Sequence, residues 1–114
     1  MPRKDEREPF YRVDVAEVKD MLTDDGVVVI DVREPGEYQS GHLPSATLIP
    51  VNSVFARRDE LPKDKKIVFV CAVGQRSALA AEMAAAAGLP AEQLYTLDGG
   101  TDAWRKAGEA VETA

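Results

Sequence analysis

The chain predicts an α/β fold, a mostly parallel sheet covered by helices on both faces, and three observations carry that reading. Val27–Val32 and Lys66–Val70 are short apolar runs rich in β-branched residues, nearly continuous rather than alternating, as in strands buried on both sides. Segments with helical spacing and identifiable start and stop residues lie between such runs, which is the strand-helix alternation of a parallel sheet. The 114 residues suit one domain with one core and are enough to fold without disulfides or a structural metal.

Met1–Pro9 mixes both charge signs and holds two prolines, so a flexible leader is expected there, able to order against the body. The domain then runs from residue 10 to 108, starting with a short strand at Phe10–Val13. Asp14 and Glu17 have capping-box spacing, and Val15, Val18, Met21 and Leu22 repeat at helical period up to a stop at Asp24-Asp25-Gly26. Val27–Val32 is a central strand. Asp31 and Arg33 stand at its C-terminal end, where the loops of parallel sheets usually carry chemistry. Glu34–Ser40 reads as a short helix with Pro35 in its first turn.

Thr47–Val51 is the third strand and Ser53–Leu61 a short helix. Arg57-Arg58 and Lys63-Asp64-Lys65-Lys66 form a locally basic face that is mostly solvated and can steer anions. After the fourth strand, Lys66–Val70, and a turn, Ser77–Gly88 is a helix of strong helix formers closed by glycine. Leu79 and Met83 are expected in its core face, with the alanines letting the helix lie close to the sheet. Gln93–Leu97 is the fifth strand, Asp98-Gly99-Gly100 turns, and Thr101 is expected to cap a last helix that Gly108 ends and in which Trp104 packs. No GxGxxG or Walker pattern surrounds the glycine pair, so no nucleotide site is indicated. Glu109–Ala114 forms a polar tail.

The candidate chemistry lies at Cys71-Ala72-Val73-Gly74-Gln75-Arg76-Ser77, which joins the most strand-like run to the most helix-like one and holds the only cysteine. A turn of this length leaves backbone N–H groups without ladder or intrahelical partners, and Gly74 can take the positive φ that curls them inward. The result is an anion-binding cup, to which the following helix adds its positive N-terminal end. Cys71 is therefore expected to be a nucleophilic thiolate, and Ala72 to Ser77 to bind substrate. A lone cysteine at the end of a core strand is ordinarily a small buried hydrophobe; Gly74, Arg76, Ser77 and the helix behind them favour the reactive reading.

These residues, with Asp31-Val32-Arg33-Glu34-Pro35-Gly36-Glu37-Tyr38, Gly41-His42-Leu43-Pro44-Ser45-Ala46, Ile49-Pro50, Leu97-Asp98-Gly99-Gly100 and Ala103-Trp104, resemble the rhodanese family of single-domain thiosulfate sulfurtransferases. The motifs stand in the family's order and span about Val13 to Gly108. Ser45 stands where the family most often has glycine. The resemblance implies a three-layer, rhodanese-like fold with a five-stranded, mostly parallel sheet flanked by helices, with Cys71 as catalytic residue. It also implies that Asp31 and Arg33 support the loop region and that His42, the only histidine, is structural rather than a general base for Cys71.

Fourteen basic residues against twenty acidic ones give a net charge of -6, which argues against nucleic acid and anionic membrane surfaces as partners. No apolar run approaches the roughly 18 residues of a membrane span, and the charged N-terminus lacks the apolar segment of a signal peptide. A cytoplasmic location is expected, where the single thiol stays reduced. One cysteine offers neither an internal disulfide nor a resolving partner.

The expected function is sulfur transfer: a small anionic donor such as thiosulfate gives its sulfane sulfur to Cys71, and a thiol or cyanide, or a protein such as thioredoxin or a sulfur carrier, accepts it. That chemistry needs a low-pKa thiol and anion stabilisation, but no metal or other cofactor. Arg76, the loop's only cation, is expected to neutralise donor or leaving group. Two alternatives stay open. One is a cysteine-dependent phosphatase or arsenate reductase, whose similar loops place five residues between cysteine and arginine where this chain places four. The other is a non-catalytic rhodanese module that binds partners or senses metabolites.

Overall fold

A computed structural model describes residues 1–113; Ala114 of the expected tail lies outside them. Five strands, β1 (Tyr11–Val13), β2 (Val27–Asp31), β3 (Thr47–Leu48), β4 (Lys66–Val70) and β5 (Leu94–Leu97), pair in the order β1-β5-β4-β2-β3, and every pairing between them is parallel. Helices α1 (Val15–Met21), α2 (Pro35–Gln39), α3 (Val51–Val54) and α4 (Gln75–Ala86) lie in the connections, and α5 (Gly100–Lys106) follows β5. The α/β architecture and the five-stranded sheet expected from sequence are both present.

The reason is visible along β4. Ile67, Phe69 and Cys71 enter a core with Val51, Val54, Ala80, Ala81 and Ala84, on the side covered by α3 and α4. Val68 and Val70 enter the opposite core with Val18, Leu43 and Trp104, on the side of α1 and α5. A strand whose alternate residues are buried on both faces needs apolar residues at consecutive positions, which is what the sequence shows.

Boundaries differ where local geometry overrides pattern. The third strand stops at Leu48: Ile49 N–H still donates to Asp31 O, but Pro50 has no N–H to offer and is the N-cap of α3, which starts two residues earlier than expected. The expected Ser53–Leu61 helix is instead the end of α3 followed by a 3-10 turn at Arg58–Glu60. A second 3-10 turn at Ala91–Gln93 takes the residue assigned to the start of the fifth strand. Leu79 is 46% exposed rather than core. Helix α4 starts at Gln75, which turns Ser77, Ala80, Ala81 and Ala84 toward the sheet and rotates Leu79 out; Met83 stays partly buried.

Helix α1 carries the expected capping box in full: Glu17 N–H donates to Asp14 Oδ1 at 2.8 Å and Asp14 N–H to Glu17 Oε1 at 2.9 Å. Arg3 and Arg12 exchange backbone hydrogen bonds, so the leader crosses the outer edge of β1, and the Arg3 guanidinium pairs with the Asp98 carboxylate. Among the described residues no helix is long and apolar enough to cross a membrane.

Removing the cap checks this reading of α1. Asp14→Ala is expected to lose about 1 kcal/mol, because the Glu17 N–H loses its only carboxylate acceptor. For a domain of this size that lowers the melting temperature by about 5 °C, measurable by calorimetry.

Candidate active site

Three strand ends converge on Cys71. It follows β4, the middle strand of the sheet, with β5 on one side and β2 on the other. Its side chain is buried, 1% exposed. Gly74 takes φ 112° and acts as the N-cap of α4, folding its own N–H back to donate to Cys71 Sγ at 3.0 Å. The cysteine thiol lies 3.6 Å from Ser77 Oγ, and the Ser77 hydroxyl donates to Gly74 O at 3.1 Å.

Gly74 also shortens the loop. The helix expected from Ser77 begins at Gln75, so only Cys71, Ala72, Val73 and Gly74 lie between strand and helix. The physical cause is the left-handed turn at Gly74, which reverses the chain within one residue. Gln75, Arg76 and Ser77 then occupy the first turn of α4, where N–H groups have no carbonyl behind them. The cup is therefore half loop and half helix N-terminus, and Ser77 contributes a buried hydroxyl beside the sulfur as well as an N–H.

Sequence reasoning missed the other wall of the site. Thr101 is not the cap of α5; Gly99 is, and Thr101 sits inside the helix. Thr101 N–H donates to Cys71 O at 2.8 Å, its hydroxyl to the same oxygen at 3.3 Å, and Asp102 N–H to Ala72 O at 3.1 Å. Gly100 lies so close that a Cβ there would fall 2.2 Å from Cys71 O and 2.5 Å from Ala72 O. The N-terminus of α5 thus binds the carbonyl side of the cysteine loop. The signal in the sequence was the Gly99-Gly100 pair, which reads as a turn until its neighbour is known.

Charged residues arrange the mouth. Asp31 and Arg33 are both buried, and Arg33 Nε and Nη2 donate to the Asp31 carboxylate at 2.8 to 3.1 Å. Arg33 Nη2 also donates to Gly41 O at 2.7 Å, tying the end of β2 to the residues that follow α2. Helix α2 in turn presents Glu37, whose carboxylate accepts from Arg76 Nη1 at 2.8 Å and Nη2 at 3.0 Å. Asp31 and Arg33 therefore brace the residues after α2, and the Asp31 charge also acts on Arg76 directly. Arg76, expected to face substrate as a free cation, is engaged by a carboxylate that sequence reasoning did not single out. Glu37 lies 39 residues away in the chain, and nothing local links the two.

His42 is occupied elsewhere. Its ring stacks on Tyr38 at 3.7 Å and Nδ1 lies 2.8 Å from Tyr38 O, while its backbone pairs with Glu112. A cavity of about 390 Å³ lies at the opposite ends of the strands, lined by Leu22, Asp24, Val27, Pro44, Ser45 and Lys65 among others. The site around Cys71 is a shallow cup at the other end of the sheet.

The Arg76 guanidinium, followed by the Glu34 N–H, holds the Glu37 carboxyl down at about 2, well below its ordinary 4.5. A depressed carboxyl stabilises the fold above its ordinary pKa and loses that contribution as pH falls from 4.5 toward 2. Wild type is therefore expected to exceed Glu37→Gln in stability at pH 7. The pair is about a third exposed, so solvent screening limits the gap to about 1 kcal/mol or less. Paired thermal melts should show the gap closing by pH 2; a gap that persists there would assign it to packing rather than charge.

The chain matches the family model described as "Rhodanese-like domain" over residues 14–107. It is 33% identical over 104 residues to "Thiosulfate sulfurtransferase GlpE" of Pseudoalteromonas translucida, an alignment covering 90% of this chain and 97% of that protein. Among solved structures it superposes on a rhodanese-related protein from Thermoplasma volcanium with a TM-score of 0.81 and 29% identity, covering 90% of this chain and 98% of that one. It also superposes on a Rhodopseudomonas palustris protein described as a possible tyrosine phosphatase, with a TM-score of 0.81 and 28% identity over 98% of this chain and 99% of that one. A family match over most of the chain, on a parallel sheet with the single cysteine at the end of its middle strand, leads to one conclusion: the protein belongs to the rhodanese-like domain family.

Proposed function

We propose that the protein is a sulfurtransferase that carries a sulfane sulfur as a persulfide on Cys71. The observation that carries this reading is the placement of Cys71 Sγ, 3.0 Å from the Gly74 N–H at the N-terminus of the 12-residue helix α4. Backbone donors and a helix end favour negative charge on that sulfur. The similarity to a thiosulfate sulfurtransferase supports the same chemistry.

In the first step the Cys71 thiolate attacks the outer sulfur of thiosulfate. An S–S bond forms to Cys71, the sulfur–sulfur bond of the donor breaks, and sulfite leaves with the electron pair. In the second step a nucleophile such as cyanide or a thiolate attacks the outer persulfide sulfur, forms thiocyanate or a new persulfide, and returns Cys71 as thiolate. No net oxidant is consumed. The buried Sγ becomes reachable in this cycle because the persulfide extends it by an S–S bond of about 2 Å. Backbone N–H groups of the cup would hold that outer sulfur, and the three guanidinium N–H groups of Arg76 left over from the Glu37 pair would meet the sulfonate oxygens. The donor, the acceptor and a cytoplasmic setting are part of this proposal.

The phosphatase alternative fits this cup less well. Four residues rather than five separate Cys71 from Arg76, the loop proper is only Cys71–Gly74, and Arg76 is already held by Glu37. A ring of that size suits one sulfur atom better than a tetrahedral oxyanion.

The loop's orientation follows from the α5 contacts. A trans peptide holds C=O and N–H on opposite sides. With the Cys71 and Ala72 carbonyls drawn toward α5, the N–H groups of Ala72 and Val73 face away from α5, toward the cup.

Two results test the proposal. Intact-protein mass after exposure to thiosulfate should show a gain of one sulfur that cyanide removes as thiocyanate. Cys71→Ser should abolish the gain and the turnover while leaving the circular dichroism spectrum unchanged; residual thiocyanate formation above the uncatalysed rate would remove Cys71 as the nucleophile. Gly100→Ala should lower the transfer rate by about 100-fold, because a displacement of about 1 Å at a reacting group costs that much. Gly108→Ala places a Cβ in open space at φ 79°, nearer the 59° of Gly100, so it should lower stability and leave the transfer rate of the folded enzyme unchanged. Equal activity losses in the two variants would make the Gly100 effect one of backbone strain.

A further inference from the structure

Resting on the sulfur-transfer reading, the geometry points to Glu37 as a specificity-determining residue that makes the site discriminate against doubly charged donors in favour of singly charged or neutral ones. The Glu37 carboxylate takes two of the five guanidinium N–H donors of Arg76 and matches its charge. Arg76 is the only cation between Cys71 and the end of α4. Arg33, whose charge also acts on Glu37, is likewise matched by Asp31. Each of these two arginines is thus neutralised by its own carboxylate.

Glu37 is built into this position rather than drifting over it. Its Oε1 also accepts the Glu34 N–H at 3.0 Å as part of the capping box of α2, and α2 is anchored at its other end by Arg33 through Gly41 O. A dianion arriving at Cys71 meets a carboxylate that already occupies the guanidinium. It must displace that carboxylate or bind with it alongside.

Coulomb energy scales with the product of charges. Whatever Glu37 costs a monoanion, it costs a dianion twice that energy, so the rate penalty for the dianion is the square of the penalty for the monoanion. Thiosulfate and methanethiosulfonate form a suitable pair, because both deliver a sulfane sulfur from a sulfonyl centre and they carry two and one negative charges. With methanethiosulfonate the Cys71 thiolate takes the outer sulfur and methanesulfinate leaves with the electron pair, which balances as the thiosulfate reaction does.

The test measures second-order persulfidation of Cys71 by intact mass, with each donor, in wild type, Glu37→Gln and Glu34→Gln. The amide of Glu37→Gln still accepts the Glu34 N–H, so the cap survives while the charge is removed. Thiosulfate is expected to gain about tenfold and methanethiosulfonate about threefold in Glu37→Gln, raising the ratio of the two rates about threefold, and added salt should shrink the change. Glu34→Gln removes an equal charge from the exposed N-cap residue of α2, which does not pair with Arg76, and should raise the ratio far less than Glu37→Gln. If Glu37→Gln proves unstable, Glu37→Ala must give the same rise in ratio. An unchanged ratio in the Glu37 variants, or an equal rise in Glu34→Gln, overturns the proposal while leaving sulfur transfer standing. No sulfur gain from either donor in wild type overturns both.

Discussion

The N-terminus of α5 grips the carbonyls of Cys71 and Ala72, and the rest of the site depends on that contact. Four residues leave β4 and must become an anion cup before α4 begins. Left to themselves, their peptide planes have several orientations of similar energy. Two backbone donors and a hydroxyl from Thr101 and Asp102 take the carbonyls, and the absence of a side chain at Gly100 lets the two backbones meet. The N–H edges then have one side left to face. Positioning is done by hydrogen bonds about 30 residues away in sequence, which reach the loop because β5 lies beside β4 in the sheet.

A second set of contacts fixes the opposite rim. Asp31, buried at the end of β2, orients Arg33; Arg33 holds the Gly41 carbonyl; α2 then presents Glu37 to Arg76. Taking Asp31 and Arg33 out of water is costly, and their mutual bidentate geometry offsets much of that cost. Breaking one partner would leave a buried charge without a match. The two rims differ in kind: α5 holds the backbone carbonyls of the loop, while α2 brings a carboxylate to Arg76, where the proposed donor would enter. Both are mounted on neighbours of β4, so the order β5-β4-β2 at the centre of the sheet places Cys71 between the two rims.

The sheet and the place of Cys71 at the strand-loop-helix junction were legible because they rest on local signals. Continuous apolar runs announced buried parallel strands, Asp14 and Glu17 announced α1, and a cysteine followed by Gly74 and an alanine-rich segment announced a strand-loop-helix junction. Helix register was not legible in the same way. Gly74 could be read as permitting a positive φ, but only the closed turn shows that α4 starts at Gln75, which sends Leu79 to solvent and Ser77 toward the sulfur. Thr101 and Glu37 were hidden for a different reason. Their partners are about 30 and 39 residues away, and a threonine after two glycines or a glutamate on a short helix has ordinary local explanations. Long-range hydrogen bonds leave no periodicity to detect.

The charge arrangement follows from the same geometry. A chain of net charge -6 repels small anions at long range, and within the mouth each arginine is matched by a carboxylate. What remains to favour an anion at Cys71 is short-ranged: N–H groups at hydrogen-bond distance and the end of one helix, whose effect fades within a turn. Such a site stabilises charge that forms on sulfur far better than it gathers charge from solution. That is the distribution the proposed transfer requires, because the charge of a thiolate or persulfide at Cys71 would sit on sulfur inside the cup, whereas a donor's charge on entry would be the same in solution as at the mouth. Interactions confined to the sulfur raise the rate of the chemical step, and interactions with the distant oxygens of the donor would mainly tighten its binding.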